Sequence, residues 1–399
     1  MYSLHLSAEQ LEFRDMIRDF VAQEVKPVAI KSERLEPFEQ PLLADLLDKA
    51  SQMGLRTMAL SEDNGGAAAD ALTSCIVAEE LAVGDADIAA VLAETSALSH
   101  VLFDQLMTPV QRERFLPAFT SDDRFHLAYA IREPEADTRI GVAYHQKRTE
   151  GGIATKAARG PDGDWVINGA KSAVANGPVA KLFIVSAQAD VDGKTGTHLF
   201  VVPADAAGLT VREIPQAKRA FHGIGGDLTL SDCRVPAGNL LKGDAALLVA
   251  GRVTDSAINL GIGRAAYEAA LDYAAIRIQG GKRIIEHQAT ATKLADIAIS
   301  LDVARNAVWR AAYASDHPDA ISDRSLPDLP LTLMAGVFTS TVVYRAVKDA
   351  AELFGAMGVM RDMPLHKYIH DAYICLRAGD GNADAKLRIA ETLAGVRPA

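Results

Sequence analysis

The chain has 399 residues, 49% hydrophobic and 23% charged, a composition ordinary for a soluble globular protein of two or three packed units. A formal net charge of −11 and a pI near 5.4 exclude the broad basic surface of a nucleic-acid binder, while leaving room for a local basic pocket. Cys75, Cys233 and Cys375 lie far apart with no CxxC pair, so neither a disulfide framework nor a zinc motif is indicated. Met1 to Gln10 lack the pattern of a signal peptide, and no apolar run reaches the roughly 18 residues of a membrane span, so a cytoplasmic protein with no membrane partner is expected.

Ser7 with Gln10 reads as a capping box, and Phe13, Ile17, Phe20 and Val21 follow at helical spacing. Pro27, Asn64-Gly65-Gly66 and Pro109 break the pattern into separate helices. The apolar, alanine-rich stretch from Ile88 to Leu106 predicts a buried helix. Near residue 126 the texture changes. Trp165-Val166-Ile167 is a β-like run between Asp162-Gly163 and Asn168-Gly169, both hairpin-turn dipeptides. Residues 182–185, 199–202 and 228–230 read as further strands. Beyond residue 240 the helical period returns. Leu294, Ile297, Leu301, Ala304 and Val308 form one stripe, the mark of packing in a bundle. Helices are expected over 247–277, 285–315, 328–355 and 382–394, with 315–330 an exposed loop. From Phe354 the chain reads as helix end, Gly-rich turn, helix, Gly-rich loop and helix. That last loop, Ala378-Gly379-Asp380-Gly381-Asn382, sets an acid between glycines, which allow close backbone approach to a ligand. The order predicts an α+β protein with a helical domain over 1–125, a β domain over 126–240 and a helical domain over 241–399.

Five stretches, in order and spread over essentially the whole chain, resemble the acyl-CoA dehydrogenase family. They are Arg132-Glu-Pro-Glu-Ala136; Asp164-Trp-Val-Ile-Asn-Gly-Ala-Lys171 with Asn176-Gly177; Asp232-Cys-Arg-Val-Pro236; the segment from Arg277 to Gln288; and Leu353-Phe354-Gly355 through Asp371-Ala372. The resemblance implies a helical N-terminal domain, a central β-barrel and a C-terminal four-helix bundle. It implies FAD between barrel and bundle, contacted by the Arg277 region of an adjacent subunit in a homotetramer or homodimer. The implied reaction is α,β-dehydrogenation of an acyl-CoA thioester, with electrons passing to an electron-transferring flavoprotein. A carboxylate takes the α-proton, and it needs a pKa raised towards neutrality by an apolar site. The enolate charge needs pre-placed donors. Carried onto this sequence, the flavin contacts fall on Ile131, Arg132, Ala173, Ala175, Arg277, Glu352, Gly355 and Gly381, and the substrate contacts on Glu94, Thr138 and Asp255.

Several of these positions depart from the family pattern. The family's glutamate base falls on Gly379, with Asp380 beside it. Asp380 is read either as the base on a slightly longer loop or as a cap of the last helix. Relatives that carry the base on a C-terminal-domain helix have it just before an arginine. Here that arginine is Arg252, preceded by Gly251, with Asp255 one turn on. Glu94, in an apolar helix, is a second candidate base or a determinant of the acyl pocket. The hairpin Trp and Thr of the family fall on Ala173 and Ala175, and its cross-subunit aromatic on Gly280. Backbone N–H groups around Ala175 to Gly177 are candidates to serve the flavin instead. His222 reads as a structural or exposed residue, and Gly223-Ile-Gly225-Gly226 lacks the helix a dinucleotide fingerprint requires. The expected activity is dehydrogenation of an unusual, branched or cyclic acyl group, with Asp380, Glu94 and Arg252 as the catalytic set. The alternatives are a related flavoenzyme with desulfinase or monooxygenase chemistry, or a non-catalytic subunit of a mixed oligomer.

Overall fold

The computed structural model describes residues 5–31, 41–134, 153–243, 252–323, 328–360, 362–377 and 381–395. Thr138, Gly251, Gly379 and Asp380 lie outside them. The N-terminal helices are α1 (Ala8–Phe20), α2 (Lys26–Ala29), α3 (Ala44–Gln52), α4 (Ala71–Gly84), α5 (Ala86–Ser99) and α6 (Pro109–Ser121). The capping box forms as expected: Ser7 Oγ accepts the Gln10 N–H at 3.1 Å and Gln10 Oε1 accepts the Ser7 N–H at 3.0 Å. Asp85 starts α5 by accepting the N–H groups of Asp87 and Ile88.

α5 runs on through wider turns to Leu106, and here one expectation fails. Ala86–Leu106 is a 21-residue helix with mean hydropathy 1.3, long and apolar enough by composition to span a bilayer. Its interior-facing composition reflects burial on several sides. Ile88, Ala89, Val91 and Leu92 enter the main helical core, while Leu98, Leu102, Phe103 and Leu106 pack against Leu182, Ile184, Leu199 and Val201 of the sheet.

The middle unit is a seven-stranded mixed sheet of β1 (His126–Ala130), β2 (Lys156–Arg159), β3 (Trp165–Ala175), β4 (Ala180–Val191), β5 (Lys194–Pro203), β6 (Leu209–Glu213) and β7 (Gly225–Val235). The order is β1-β4-β2-β3-β7-β6, with β5 paired to β4. β1 and β4 are parallel, and the remaining long pairings are antiparallel. Asp162-Gly163 does turn β2 into β3. Asn168-Gly169 does not turn the chain; it lies inside β3 at a register shift against β7. Asn168 Nδ2 donates to Asp232 Oδ1 at 3.1 Å and its Oδ1 accepts the Asp232 N–H at 2.8 Å, which holds the strand through the irregularity. Gly169 has φ of 151°, and a Cβ there would come within 2.7 Å of Thr155.

The C-terminal unit comprises α7 (Val253–Ile276), a hairpin of β8 (Ile278–Gln279) and β9 (Lys282–Arg283), α8 (Gln288–Asp316), α9 (Pro318–Ser322), α10 (Leu331–Leu353), α11 (Leu365–Arg377) and α12 (Gly381–Leu393). The α8 stripe Leu294, Ile297, Leu301, Ala304 and Val308 is buried, as its spacing predicts. The segment expected as loop carries the short α9, with Pro318 in its first turn and Ala320 buried. Helices, then a sheet, then helices make the α+β arrangement expected.

A knot of buried charge fastens the two helical units. Glu79 and Glu80 of α4 meet Arg264 of α7, whose Nη1 lies 2.8 Å from Glu79 Oε1 and 2.9 Å from Glu80 Oε1. Arg305 of α8 reaches Glu79 at 2.6 Å, and Arg18 of α1 reaches Glu80 at 2.7 Å. Burial alone would raise the Glu80 carboxyl, but hydrogen bonds from Arg264 and Arg18 outweigh it and hold Glu80 below its ordinary value. Beside the knot, α7 runs so close to α4 that a Cβ at Gly261 would sit 2.4 Å from the Glu79 carbonyl oxygen.

Candidate active site

The sheet and the two helical units enclose a cavity of about 800 Å³. Its walls come from the end of β3, the loop before β7, α5, the first turns of α7, the start of α10 and the head of α12. The Arg132-Glu-Pro motif forms one rim, and a buried lysine fixes it. Lys171 Nζ, fully buried, donates to the Ile131 carbonyl at 3.2 Å, to Glu133 Oε1 at 3.0 Å and to Ser186 Oγ at 3.0 Å. Glu133 also accepts the N–H groups of Ala154 and Thr155. Burial would raise Glu133, yet these donors leave it below the ordinary glutamate range; burial lowers Lys171, with Glu133 opposing. Asn176, in left-handed backbone at φ of 62°, fixes the turn between β3 and β4 through Nδ2 to the carbonyls of Val91 and Leu127.

Of the residues singled out from sequence, Glu94, Arg252, Asp255, Ile131, Arg132, Ala173, Ala175 and Gly381 do come together around this cavity. Arg277, Glu352 and Gly355 do not. They lie on the chain's surface near the ends of α7 and α10, where Glu352 pairs with Lys293 at 2.5 Å and Phe354 stacks on Tyr273. Thr138 and Asp380 are outside the described residues. The N–H groups of Asn176 and Gly177 donate to the carbonyls of Ile224 and Val174, so these two of the Ala175 to Gly177 donors are taken within the chain.

Glu94 and Arg252 form an ion pair on the cavity floor, with Arg252 5.1 Å above the Tyr129 ring. Glu94 Oε1 is buried with no hydrogen-bond partner among the described residues. Asp255 faces the same cavity. Burial raises its pKa above that of an ordinary aspartate, and Arg252 and His222 only partly oppose it. Burial also lowers Arg252. Behind this floor lies a second cavity of about 600 Å³, lined largely by apolar residues including Leu55, Met58, Leu81, Leu92 and Val101; Arg252 borders both.

Sequence reasoning missed part of this wall. His222 is not exposed; its side chain is 8% accessible, and it lines the cavity with Cys375. Asn259 Oδ1 and two nitrogens of Arg219, on the same wall, have no hydrogen-bond partner among the described residues.

Helices flanking a sheet, a large cavity at their junction and carboxylates beside orphaned polar atoms define a ligand-binding scaffold. Three family models match in sequence order: acyl-CoA dehydrogenase N-terminal domain over 7–123, middle domain over 149–233 and C-terminal domain over 245–392. The chain belongs to the acyl-CoA dehydrogenase family and is a FAD-dependent oxidoreductase. It is 29% identical to an acyl-CoA dehydrogenase of Bacillus subtilis, covering 98% of this chain and 100% of that one. It is 27% identical to a short-chain specific acyl-CoA dehydrogenase of Clostridium acetobutylicum, covering 93% and 94%. Butyryl-CoA dehydrogenase from Megasphaera elsdenii superposes with a TM-score of 0.80 at 26% identity, covering 99% and 100%.

The residues present fit the cofactor. Arg219 Nε and Nη1 and Asn259 Oδ1 are buried polar atoms without a partner among the described residues, of the kind a bound group satisfies. Ala173 and Ala175 leave their side of the cavity without bulk.

Proposed function

We propose that this protein carries out the α,β-dehydrogenation of an acyl-CoA thioester, an unusual branched or cyclic acyl group, with Asp255 as acceptor of the α-proton. The observation that carries this reading is the Asp255 carboxyl, which faces the main cavity with its pKa raised by burial. A base works best when its pKa approaches the working pH. Glu94 is committed through one oxygen to its ion pair with Arg252, so its role is to hold the floor of the acyl site through its remaining oxygen. Bound FAD supplies the hydride acceptor. Arg252 keeps a positive charge near the reacting carboxylate, and the apolar walls exclude water.

The surface bearing Arg277, Glu352 and Gly355 supports assembly into a homodimer or homotetramer in which each chain completes its neighbour's cofactor site. An electron-transferring flavoprotein is the proposed electron acceptor and the cytoplasm the proposed location. The test is the visible spectrum of the purified protein under anaerobic addition of a panel of acyl-CoA thioesters. Flavin absorbance that bleaches with a thioester, and does not bleach in Asp255→Asn, supports the reading. Loss of bleaching in Asp380→Asn alone would move the base to the final loop. Turnover that requires oxygen would replace dehydrogenation with oxygenation, and a colourless preparation active only with a second subunit would make the chain a non-catalytic partner.

A further inference from the structure

Cys375 and His222 meet on the cavity wall from different parts of the chain, His222 from the loop before β7 and Cys375 from α11. Cys375 Sγ lies 3.5 Å from His222 Nε2, and His222 Nδ1 lies 3.6 Å from Asp87 Oδ1. Asp87 is itself fixed, accepting the Gly223 N–H at 2.8 Å, one residue from the histidine. The Asp371 carbonyl oxygen stands 3.0 Å from Nε2. Both ring nitrogens therefore face acceptors. A neutral imidazole has one N–H and can satisfy only one of them, whereas an imidazolium satisfies both. The site favours the protonated ring, and the sulfur is within its reach.

Every element around His222 contributes charge. Asp87 comes from α5, Asp255 from α7, Asp371 and His370 from α11, and Arg219 from the loop before β7. Lys367 offsets Asp371 at 2.6 Å and stands 3.9 Å from Asp85. Burial alone would lower His222, but the neighbouring Cys375, Asp87 and Asp371 outweigh it and hold the imidazole well above an ordinary histidine. Cys75 and Cys233 are buried in the cores, while Cys375 is partly accessible. The unpartnered Asn259 Oδ1, on a residue 3% exposed, shares the same cavity and marks it as a place where a ligand sits.

We propose that Cys375, with His222 and Asp87, is a covalent site for α,β-unsaturated thioesters in this cavity. The choice of electrophile rests on the function proposed above, because such a thioester is the product of dehydrogenation. Starting from the neutral ring with its proton on Nδ1 towards Asp87, His222 takes the thiol proton on Nε2, and the imidazolium so formed is the state that both acceptors favour. The sulfur pair forms a bond to the β-carbon, the π pair of the C=C bond moves to the α-carbon, and that carbon takes the proton back from His222. The net change is addition of S–H across the double bond, with no oxidant or reductant. A retained product would thus cap Cys375 and close the cavity to further substrate.

The experiment uses the full chain as purified. Iodoacetamide is added at pH 7, labelling at each cysteine is followed by peptide mass spectrometry, and a separate sample receives crotonyl-CoA. Cys375 is expected to label first, at least about tenfold faster than in His222→Gln or Asp87→Asn, in keeping with the dependence of cysteine reactivity on its microenvironment. Crotonyl-CoA should add its full mass at Cys375 and nothing to Cys375→Ala. Equal labelling in the wild type and both variants, each shown folded by its thermal melt, would overturn the proposal. So would histidine-dependent labelling without a crotonyl-CoA adduct. The failure of the dehydrogenase reading is distinguishable, since an adduct can form in a protein whose flavin no acyl-CoA bleaches.

Discussion

Two clusters of buried charge join the helical units of this chain, and they are completed to different degrees. In the α4–α7–α8 knot, two glutamates meet three arginines, and both carboxylates are held by two guanidinium groups. Around the cavity, Asp255 remains above its ordinary pKa, and among the described residues Glu94 has an unpaired oxygen and Asn259 and Arg219 present orphaned atoms. The comparison teaches where to look for chemistry. Ionised groups that satisfy one another stabilise an interface, and groups left short of partners are positioned for something that arrives later.

Substituting one residue from each cluster separates them most sharply. Asp255→Asn should cut the rate of flavin bleaching by about 10²–10⁴-fold, the ordinary contribution of a positioned base, as read by stopped-flow absorbance. The same variant should melt higher than the wild type at pH 7. A carboxyl whose pKa is raised by folding loses stability as pH climbs from its unfolded value, and the amide removes that loss. A lower melting temperature together with unchanged bleaching would break the comparison.

Arg264→Ala should show the reverse signature. Removing one member of a buried ionic network costs about 3–5 kcal/mol, visible in denaturant unfolding, while flavin bleaching per folded molecule changes little. Between the two units, Gly169→Ala should destabilise by about 1–3 kcal/mol, because its Cβ would press on Thr155 in the sheet; thermal unfolding reads this. The smallest effect concerns acid. Glu80 is depressed in the folded chain, so its contribution is present above its unfolded pKa and disappears as pH falls through its folded value. Acid unfolding should therefore be shallower in Glu80→Gln than in the wild type.

Helix and strand types were legible because their periods are local: the capping box at Ser7 and the α8 stripe needed only near neighbours. Asn168-Gly169 misled for the same reason. The dipeptide resembles a turn locally, but a partner 64 residues away, Asp232, decides its conformation. At the site, Glu94 and Asp255 stood out as acids among apolar residues, and the structure does bring them to one cavity with Arg252. The Cys375–His222 contact joins positions 153 residues apart, which no spacing rule connects. The burial of Ala86–Leu106 was likewise readable from its alanine content, while the change from ordinary to wider turns at His100 left no mark in the spacing.

α7 belongs to both charge clusters at once. Arg252 caps its start, Asp255 and Asn259 follow, and Arg264 enters the knot, so roughly 13 Å of one rigid rod separates Asp255 from Arg264. Gly261 lies between them with no clearance from α4. The rod cannot swing at one end without dragging salt bridges at the other. The bore of the cavity along this wall is thus set when the chain folds, and discrimination among ligands falls to their shape rather than to any yielding of α7.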